Sequence, residues 1–249
     1  MRKFLIPLLT ALWVFPAFAG GLTDMTNDER LAFGDAVRAY LLQNPEVLME
    51  AIQVLEQRQQ QAQAETDQTL VLSNAEEIFN DGYSYVGGNL EGDITLVEFQ
   101  DYRCSYCRKA HDEVAELVRS DGNIRLVIKE FPILGEASTD ASRLAVATLH
   151  KLGPEAYHDL ANFLITFNGD LNPKISAGIL EKLGHDPSAV IAYLDDAAIT
   201  GHIGKVHTLA RTLKITGTPT FVVGNEMVRG YVSLETMREI IAFHRQQQN

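Results

Sequence analysis

Cys104 and Cys107 are the only two cysteines of the 249-residue chain. They lie in the run Phe99-Gln100-Asp101-Tyr102-Arg103-Cys104-Ser105-Tyr106-Cys107-Arg108, where an apolar strand pattern gives way to an amphipathic helix pattern. A thiol at a helix N-terminus meets unpaired backbone N–H groups and the positive end of the helix dipole, and both stabilise its thiolate. Cys104 is therefore the expected nucleophile. Cys107, one helical turn on, is the expected resolving thiol, more buried and able to close a short disulfide with Cys104. Two cysteines this close cannot staple a chain of this size, so they read as a redox-active pair or as metal ligands. The metal alternative adds His111 to give C-x2-C-x3-H, three ligands suited to copper(I) or zinc. Structural zinc normally takes four, and His150, His158, His185, His202, His207 and His244 show no ligand spacing. No metal is assigned on this basis, and the dithiol chemistry requires no bound cofactor. A locked structural bridge in a non-catalytic scaffold would have no need of a helix N-terminus.

The elements around the pair carry further candidates. Residues 94–99, Ile-Thr-Leu-Val-Glu-Phe, read as a buried strand with one anomalous carboxylate, Glu98. Glu98 admits two readings: a satisfied carboxylate that reaches solvent, or a buried base of raised pKa that takes the proton of Cys107 as a mixed disulfide collapses. Lys129, on the next strand pattern at residues 124–129, is placed to pair with Glu98. Arg103, Arg108 and Lys109 put positive charge beside Cys104, or are simply solvated. Tyr102 and Tyr106 read as apolar surface around the sulfur, and residues 131–134 as an extension of it or the start of a core. Farther on stands Gly217-Thr218-Pro219-Thr220, which reads as a cis-prolyl turn before a hairpin. Such a turn would leave the Thr218 backbone open to an extended substrate.

The flanking sequence sets the compartment and the architecture. Arg2-Lys3, an apolar run to about residue 16 and Ala17-Phe18-Ala19 read as a secretory signal peptide cleaved after Ala19. Its removal takes basic residues from 21 to 19 against 33 acidic, a formal charge of −14, which disfavours nucleic acid as a partner. The sole tryptophan, Trp13, would leave with it. Residues 26–74 read as helical, with Thr26 and Glu29 spaced as a capping box and Pro45 dividing the segment into helices at 27–43 and 45–72. Leu41, Leu48 and Leu55 fall at heptad spacing, widened by Val37, Leu42, Val47 and Ile52. This face either packs back on its own domain or joins copies of the chain.

Beyond it, a weak strand at 83–86, a turn at Gly87-Gly88-Asn89, strand 94–99, a helix from Cys104 to about residue 119 and strand 124–129 give a strand-helix-strand unit. Residues 138–213 read as helices. Strands at 220–223 and 227–229 around Gly224-Asn225-Glu226 and a closing helix from Ser233 complete the chain. This is the order of an α/β thioredoxin fold with a helical insertion, preceded by a helical stalk. The expected domains are a signal peptide at 1–19, a stalk at 20–74, a catalytic domain at 75–131 and 214–249, and an insertion at 132–213.

Over residues 76–245 the chain resembles the DsbA-like thiol-disulfide oxidoreductases of the bacterial periplasm. The carriers are Cys104-Ser105-Tyr106-Cys107, Glu98 six residues before the first cysteine, the helical insert and Thr218-Pro219. The N-terminal segment, with Asn44-Pro45-Glu46-Val47-Leu48, is similar to the ScsC-type proteins, whose stalks make trimers. The resemblance implies catalysis by Cys104, Cys107 and Glu98, and substrate binding by Thr218, Pro219, Ser105 and Tyr106. It also implies a periplasmic homo-oligomer, with a trimer favoured through residues 26–72. Its partners would be unfolded or misoxidised secreted proteins and a membrane redox partner. Two departures matter. Ser105-Tyr106 stands where the DsbA oxidase has Pro-His, and Thr218 where it has Val, both more like the DsbC-type isomerases. Losing a histidine donor to the first sulfur makes the disulfide less oxidising. Isomerase or reductase is therefore the expected activity, with a dithiol oxidase as the competing one.

Overall fold

The computed structural model describes residues 25–247. Two compact units divide the chain, the first ending at Gln59 and the second beginning at Gln60. In the first, α1 (Asn27–Gln43) opens on a capping box: the Thr26 hydroxyl accepts from the Glu29 N–H while the Glu29 carboxylate accepts from the Thr26 N–H at 2.8 Å. That exchange satisfies two N-terminal donors that lack helical partners. At the other end the Asn44 side chain donates to the Tyr40 carbonyl at 2.9 Å. Pro45 has no N–H with which to continue the ladder, so the chain restarts as α2 (Glu46–Ser73). α1 buries none of its residues. Leu31 is 69% exposed, and Leu42, Leu48, Ile52 and Leu55 are also exposed.

The second unit takes in the last turns of α2, where Val71 is buried and the buried Asp67 carboxylate accepts from Arg229 at 2.7 Å. It continues through α3 (Ala75–Phe79), β1 (Tyr85–Gly88), β2 (Ile94–Gln100), α4 (Ser105–Asp121) and β3 (Ile124–Glu130). Five helices follow: α5 (Glu136–Leu152), α6 (Pro154–Leu164), α7 (Pro173–Lys182), α8 (Ser188–Ile191) and α9 (Ala197–Thr212). The hairpin β4 (Thr220–Val223) and β5 (Glu226–Arg229) and the helix α10 (Leu234–Gln247) close the chain. The sheet order is β1-β3-β2-β4-β5, with β2 and β3 parallel and every other neighbouring pair antiparallel. This is a thioredoxin fold carrying a helical insertion between β3 and β4.

β2 is mostly apolar and buried along nearly its whole length because both faces are covered. Ile94 and Leu96 pack with Val114 and Leu117 of α4 and Ile241 of α10. Val97 and Phe99 point the other way, into a core with Val206 and Leu209 of α9 and with Phe131. The hairpin turns at Gly224, whose φ is +58° and where a Cβ would meet the His244 ring at 2.6 Å. Only glycine fits both conditions. The first strand departs from expectation: it begins at Tyr85 and runs through Gly87 and Gly88. The Asp81 carboxylate accepts from the N–H groups of Tyr83 and Ser84 at 3.0 and 2.9 Å, closing a local turn that withholds these two residues from the ladder.

Candidate active site

Cys104 is the N-cap of α4, with extended backbone (φ −75°, ψ 121°), and Cys107 lies one turn inside the helix. Both are free thiols. Cys104 retains 8% exposure and Cys107 1%, and both pack into the core of the insertion with Leu144 and Leu160. The Thr218–Pro219 peptide is cis. The Cys104 thiol donates to the Thr218 carbonyl at 3.1 Å, so in the dithiol state this carbonyl is occupied by the sulfur. Thr218 is half-buried and Pro219 buried, while Ser105 and Tyr106 are exposed. Tyr106 stacks on Tyr231, ring centroids 6.3 Å apart, and Lys109 lies over the same Tyr231 ring at 4.0 Å. The Glu113 carboxylate in turn accepts from the Tyr231 hydroxyl and from the Leu234 N–H, tying α4 to the start of α10.

The loop before Cys104 is held by a residue that sequence reasoning passed over. Asp101 is fully buried; its carboxylate accepts from the N–H groups of Arg103, Ile133 and Leu134 at 2.8, 2.8 and 3.0 Å. One side chain thus fixes the approach to the dithiol against the chain leaving β3. Arg103 and Arg108 are committed to the insertion. Arg103 reaches the carbonyls of Phe167 and Gly169, while Arg108 reaches Phe167, the Asn168 side chain and the Tyr102 carbonyl. Their guanidinium groups brace the 167–169 loop over the start of α4. Of residues 131–134, Phe131 is core and Leu134 is exposed.

Behind Cys107 lie two buried carboxylates on one sheet face, Glu98 and Glu130. Glu98 is pushed up to about 8, first by burial and then by the charge of Glu130. The Cys107 thiol is held far above the ordinary thiol range by burial and by the nearby Glu98 charge. Two expectations fail here. Lys129 does not pair with Glu98: register sets Glu98 opposite Ile128 and Phe99 opposite Lys129, which turns the lysine to the other face. There its ammonium meets Asp81 at 2.5 Å and the Glu77 carbonyl at 2.8 Å. Tyr102 is not substrate-facing surface either; it is 1% exposed, and its hydroxyl donates to Glu130 at 2.8 Å.

A cavity of about 390 Å³ opens beside Glu98, walled by Val114, Val118, Leu126 and Ile128, with Glu98, Gln100, His111 and His158 supplying polar groups. Burial biases His111 towards its neutral form. His111 faces this cavity, and among the described residues no three His, Cys, Asp or Glu side chains gather as a metal-binding group. The arrangement has the parts of dithiol exchange: a helix-capping thiol, a buried second thiol, a buried carboxyl group of raised pKa near it, and a cavity leading from that group towards solvent.

Residues 95–242 match the DSBA-like thioredoxin domain, and residues 29–62 the copper resistance protein ScsC N-terminal domain. A thioredoxin-like oxidoreductase from Silicibacter pomeroyi is 38% identical, covering 70% of this chain and 98% of its own, with a TM-score of 0.63. A ScsC variant from Proteus mirabilis with a linker deletion is 22% identical, covering 91% of this chain and all of its own, with a TM-score of 0.65. Na(+)/H(+) antiporter NhaA 1 from Salinispora arenicola is 28% identical over 157 residues, 61% of this chain, which spans 23% of that protein's length. With its fold, its paired cysteines and these matches, the chain belongs to the DsbA-like thioredoxin-fold family of thiol-disulfide oxidoreductases and carries a ScsC-type N-terminal domain.

Proposed function

We propose that this protein is an exported disulfide isomerase and reductase. The observation that carries this reading is the partner of the first sulfur. Cys104 caps α4 without a side-chain capping bond, and its Sγ faces the Thr218 carbonyl, an acceptor. A carbonyl takes a hydrogen bond from the thiol and gives none to the thiolate. A strong oxidant relies on donors that stabilise its reduced, anionic form. Ser105-Tyr106 supplies no imidazole donor, so the couple is less oxidising than one near −120 mV.

In the reaction, the Cys104 thiolate attacks one sulfur of a substrate disulfide, and the other substrate sulfur leaves as thiolate. That thiolate can attack a different disulfide of the substrate; the thiolate displaced there attacks the substrate sulfur of the mixed disulfide, expels the Cys104 thiolate and leaves the pairing rearranged with no net redox change. When rearrangement stalls, Cys107 gives its proton to the Glu98 carboxylate and attacks the Cys104 sulfur. The substrate then leaves with two thiols, the protein holds the Cys104–Cys107 disulfide, and a membrane redox partner restores the dithiol. Thr218, Pro219, Ser105 and Tyr106 line the approach of an extended substrate. The apolar face of the first unit is read as a homo-oligomer interface, three copies favoured by the ScsC resemblance. Gathering several sites raises the effective concentration for reshuffling. Export to the periplasm rests on the signal-peptide pattern at 1–19, which with Trp13 lies outside the described residues. Among the described residues no helix is long and apolar enough to cross a membrane.

The test is recovery of activity by a scrambled, fully oxidised substrate in glutathione buffer. Reshuffling by the native protein and its loss in Cys104→Ala are expected. Fast oxidation of a reduced substrate without reshuffling would make the protein an oxidase instead.

A further inference from the structure

Glu130 is 2% exposed, yet three hydroxyl groups converge on its carboxylate. Tyr102 and Tyr157 donate to one oxygen at 2.8 and 2.5 Å, and Ser142 donates to the other at 2.7 Å. The donors come from the loop before Cys104, from α6 and from α5, and all three residues are buried. Gln100 completes the shell. Donors aimed at both oxygens satisfy a carboxylate, whereas a carboxylic acid would have to turn its own O–H against them. This is a site built for an anion. Glu98 shares the sheet face, since Gln100 pairs with Glu130 and Glu98 with Ile128 in the parallel register. Two buried carboxylates that feel each other's charge do not both ionise cheaply, and the one without the donor shell keeps the proton.

We propose that Glu130 is a positioning residue of the dithiol site: a clamped anion that keeps the proton of the buried pair on Glu98, beside Cys107, and so makes the Glu98 carboxylate a stronger base for the Cys107 proton. The proposal rests on the reading of Glu98 as that base. Burial pushes the Glu130 carboxyl up and the hydroxyl clamp opposes that push, leaving it raised only to about 6, below Glu98 at about 8, so Glu130 gives up its proton first. The groups facing Glu98 are Cys107, His111 and Arg119 from α4, Glu130 from β3, Tyr157 and His158 from α6, Tyr85 from β1 and Tyr102 from the intervening loop. Burial holds His111 towards neutrality, and the Arg119 side chain is 75% exposed and pairs with Glu116. Lys129 is spent on Asp81 across the sheet. Glu130 is the charge left to act on Glu98 at close range. Its effect is largest when Glu98 must be both unprotonated and strongly basic, which is the moment of Cys107 attack.

The test uses the full chain and two readouts in Glu130→Gln, which keeps shape and an acceptor oxygen but loses the charge. The first is the infrared carboxyl band of protonated Glu98, assigned by its loss in Glu98→Gln, followed with pH. The second is the rate of mixed-disulfide release against pH, with the first attack by Cys104 measured in parallel. In Glu130→Gln the band should titrate about one pH unit lower. The release profile should move with it while the first attack is unchanged. Ser142→Ala, which weakens the clamp but keeps the charge, should move both the same way by less, and it serves if Glu130→Gln does not fold. An unmoved Glu98 titration in the variants overturns the proposal, even where release slows at every pH, because that is the signature of a merely structural residue. Release that is insensitive to Glu98→Gln, with the band still displaced by Glu130→Gln, overturns the base role of Glu98 and leaves the coupling between the carboxyls standing.

Discussion

The first unit and the catalytic unit spend their side chains in opposite ways. α1 leaves every residue unburied, including Leu31 and Leu42. The catalytic unit buries Glu98, Asp101, Lys129 and Glu130 to 5% exposure or less. Exposed leucines lose nothing in the lone chain, and the proposed oligomer would cover them. Buried charges cost several kcal/mol each unless paired or hydrogen-bonded, and they persist where geometry repays them. The contrast teaches that the apolar residues of the arm matter to the proposed association, while the buried charges of the domain serve the site and its frame.

The contrast breaks most severely at Lys129. Asp81→Asn removes the carboxylate from an ammonium whose side chain has no exposure, and leaving that charge unpaired should cost about 3–5 kcal/mol. Denaturant unfolding of the native and variant proteins measures it; a loss below about 1 kcal/mol would show that Lys129 needs no partner.

Glu98 gives the next effect, and its sign is fixed. The folded state keeps the Glu98 proton up to about 8, against 4.5 for the ordinary carboxyl. Between those values the folded state holds a proton the unfolded chain has lost, so the Glu98 contribution to stability falls as pH rises through that window. Glu98→Gln removes that contribution to the slope. Relative to the native protein, the variant should gain on the order of a few kcal/mol between pH 4 and pH 8. Parallel pH dependences in the two proteins would remove the buried, protonated carboxyl from the account.

The smallest effect on the domain is expected in the arm. Leu48→Asp with Ile52→Asp should change catalytic-unit stability by less than about 0.5 kcal/mol, while converting the proposed oligomer to monomer in sedimentation. Unfolding of the catalytic unit in that variant would mean the arm face serves its own chain.

Much of this frame is legible from local pattern, and what escapes is long-range. The capping box at Thr26 and Glu29, the break at Pro45 and the uninterrupted β2 are written within a few residues of one another. The dithiol is legible because two cysteines three apart at a strand-to-helix step have few other uses. The Glu130 clamp escapes because its donors lie 12, 27 and 28 residues away, and no local pattern links Tyr157 of the insertion to a strand of the core. The Lys129 expectation failed on parity. Glu98 and Lys129 are charges near the ends of neighbouring, largely apolar strands, and only the register decides that they face opposite ways. Tyr102 misled for a related reason: beside Cys104 it reads as substrate surface, but the buried Glu130 carboxylate at the end of the neighbouring strand claims its hydroxyl.

The most direct measurement of the central claim is mass spectrometry of the protein trapped in mid-reaction with a scrambled disulfide substrate. Cys107→Ala should accumulate a mixed disulfide at Cys104, the native protein should show it only fleetingly, and Cys104→Ala should form none. A substrate adduct on Cys107 in Cys104→Ala, or none on Cys104 when Cys107 is absent, would contradict the assignment of Cys104 as nucleophile and Cys107 as resolving thiol.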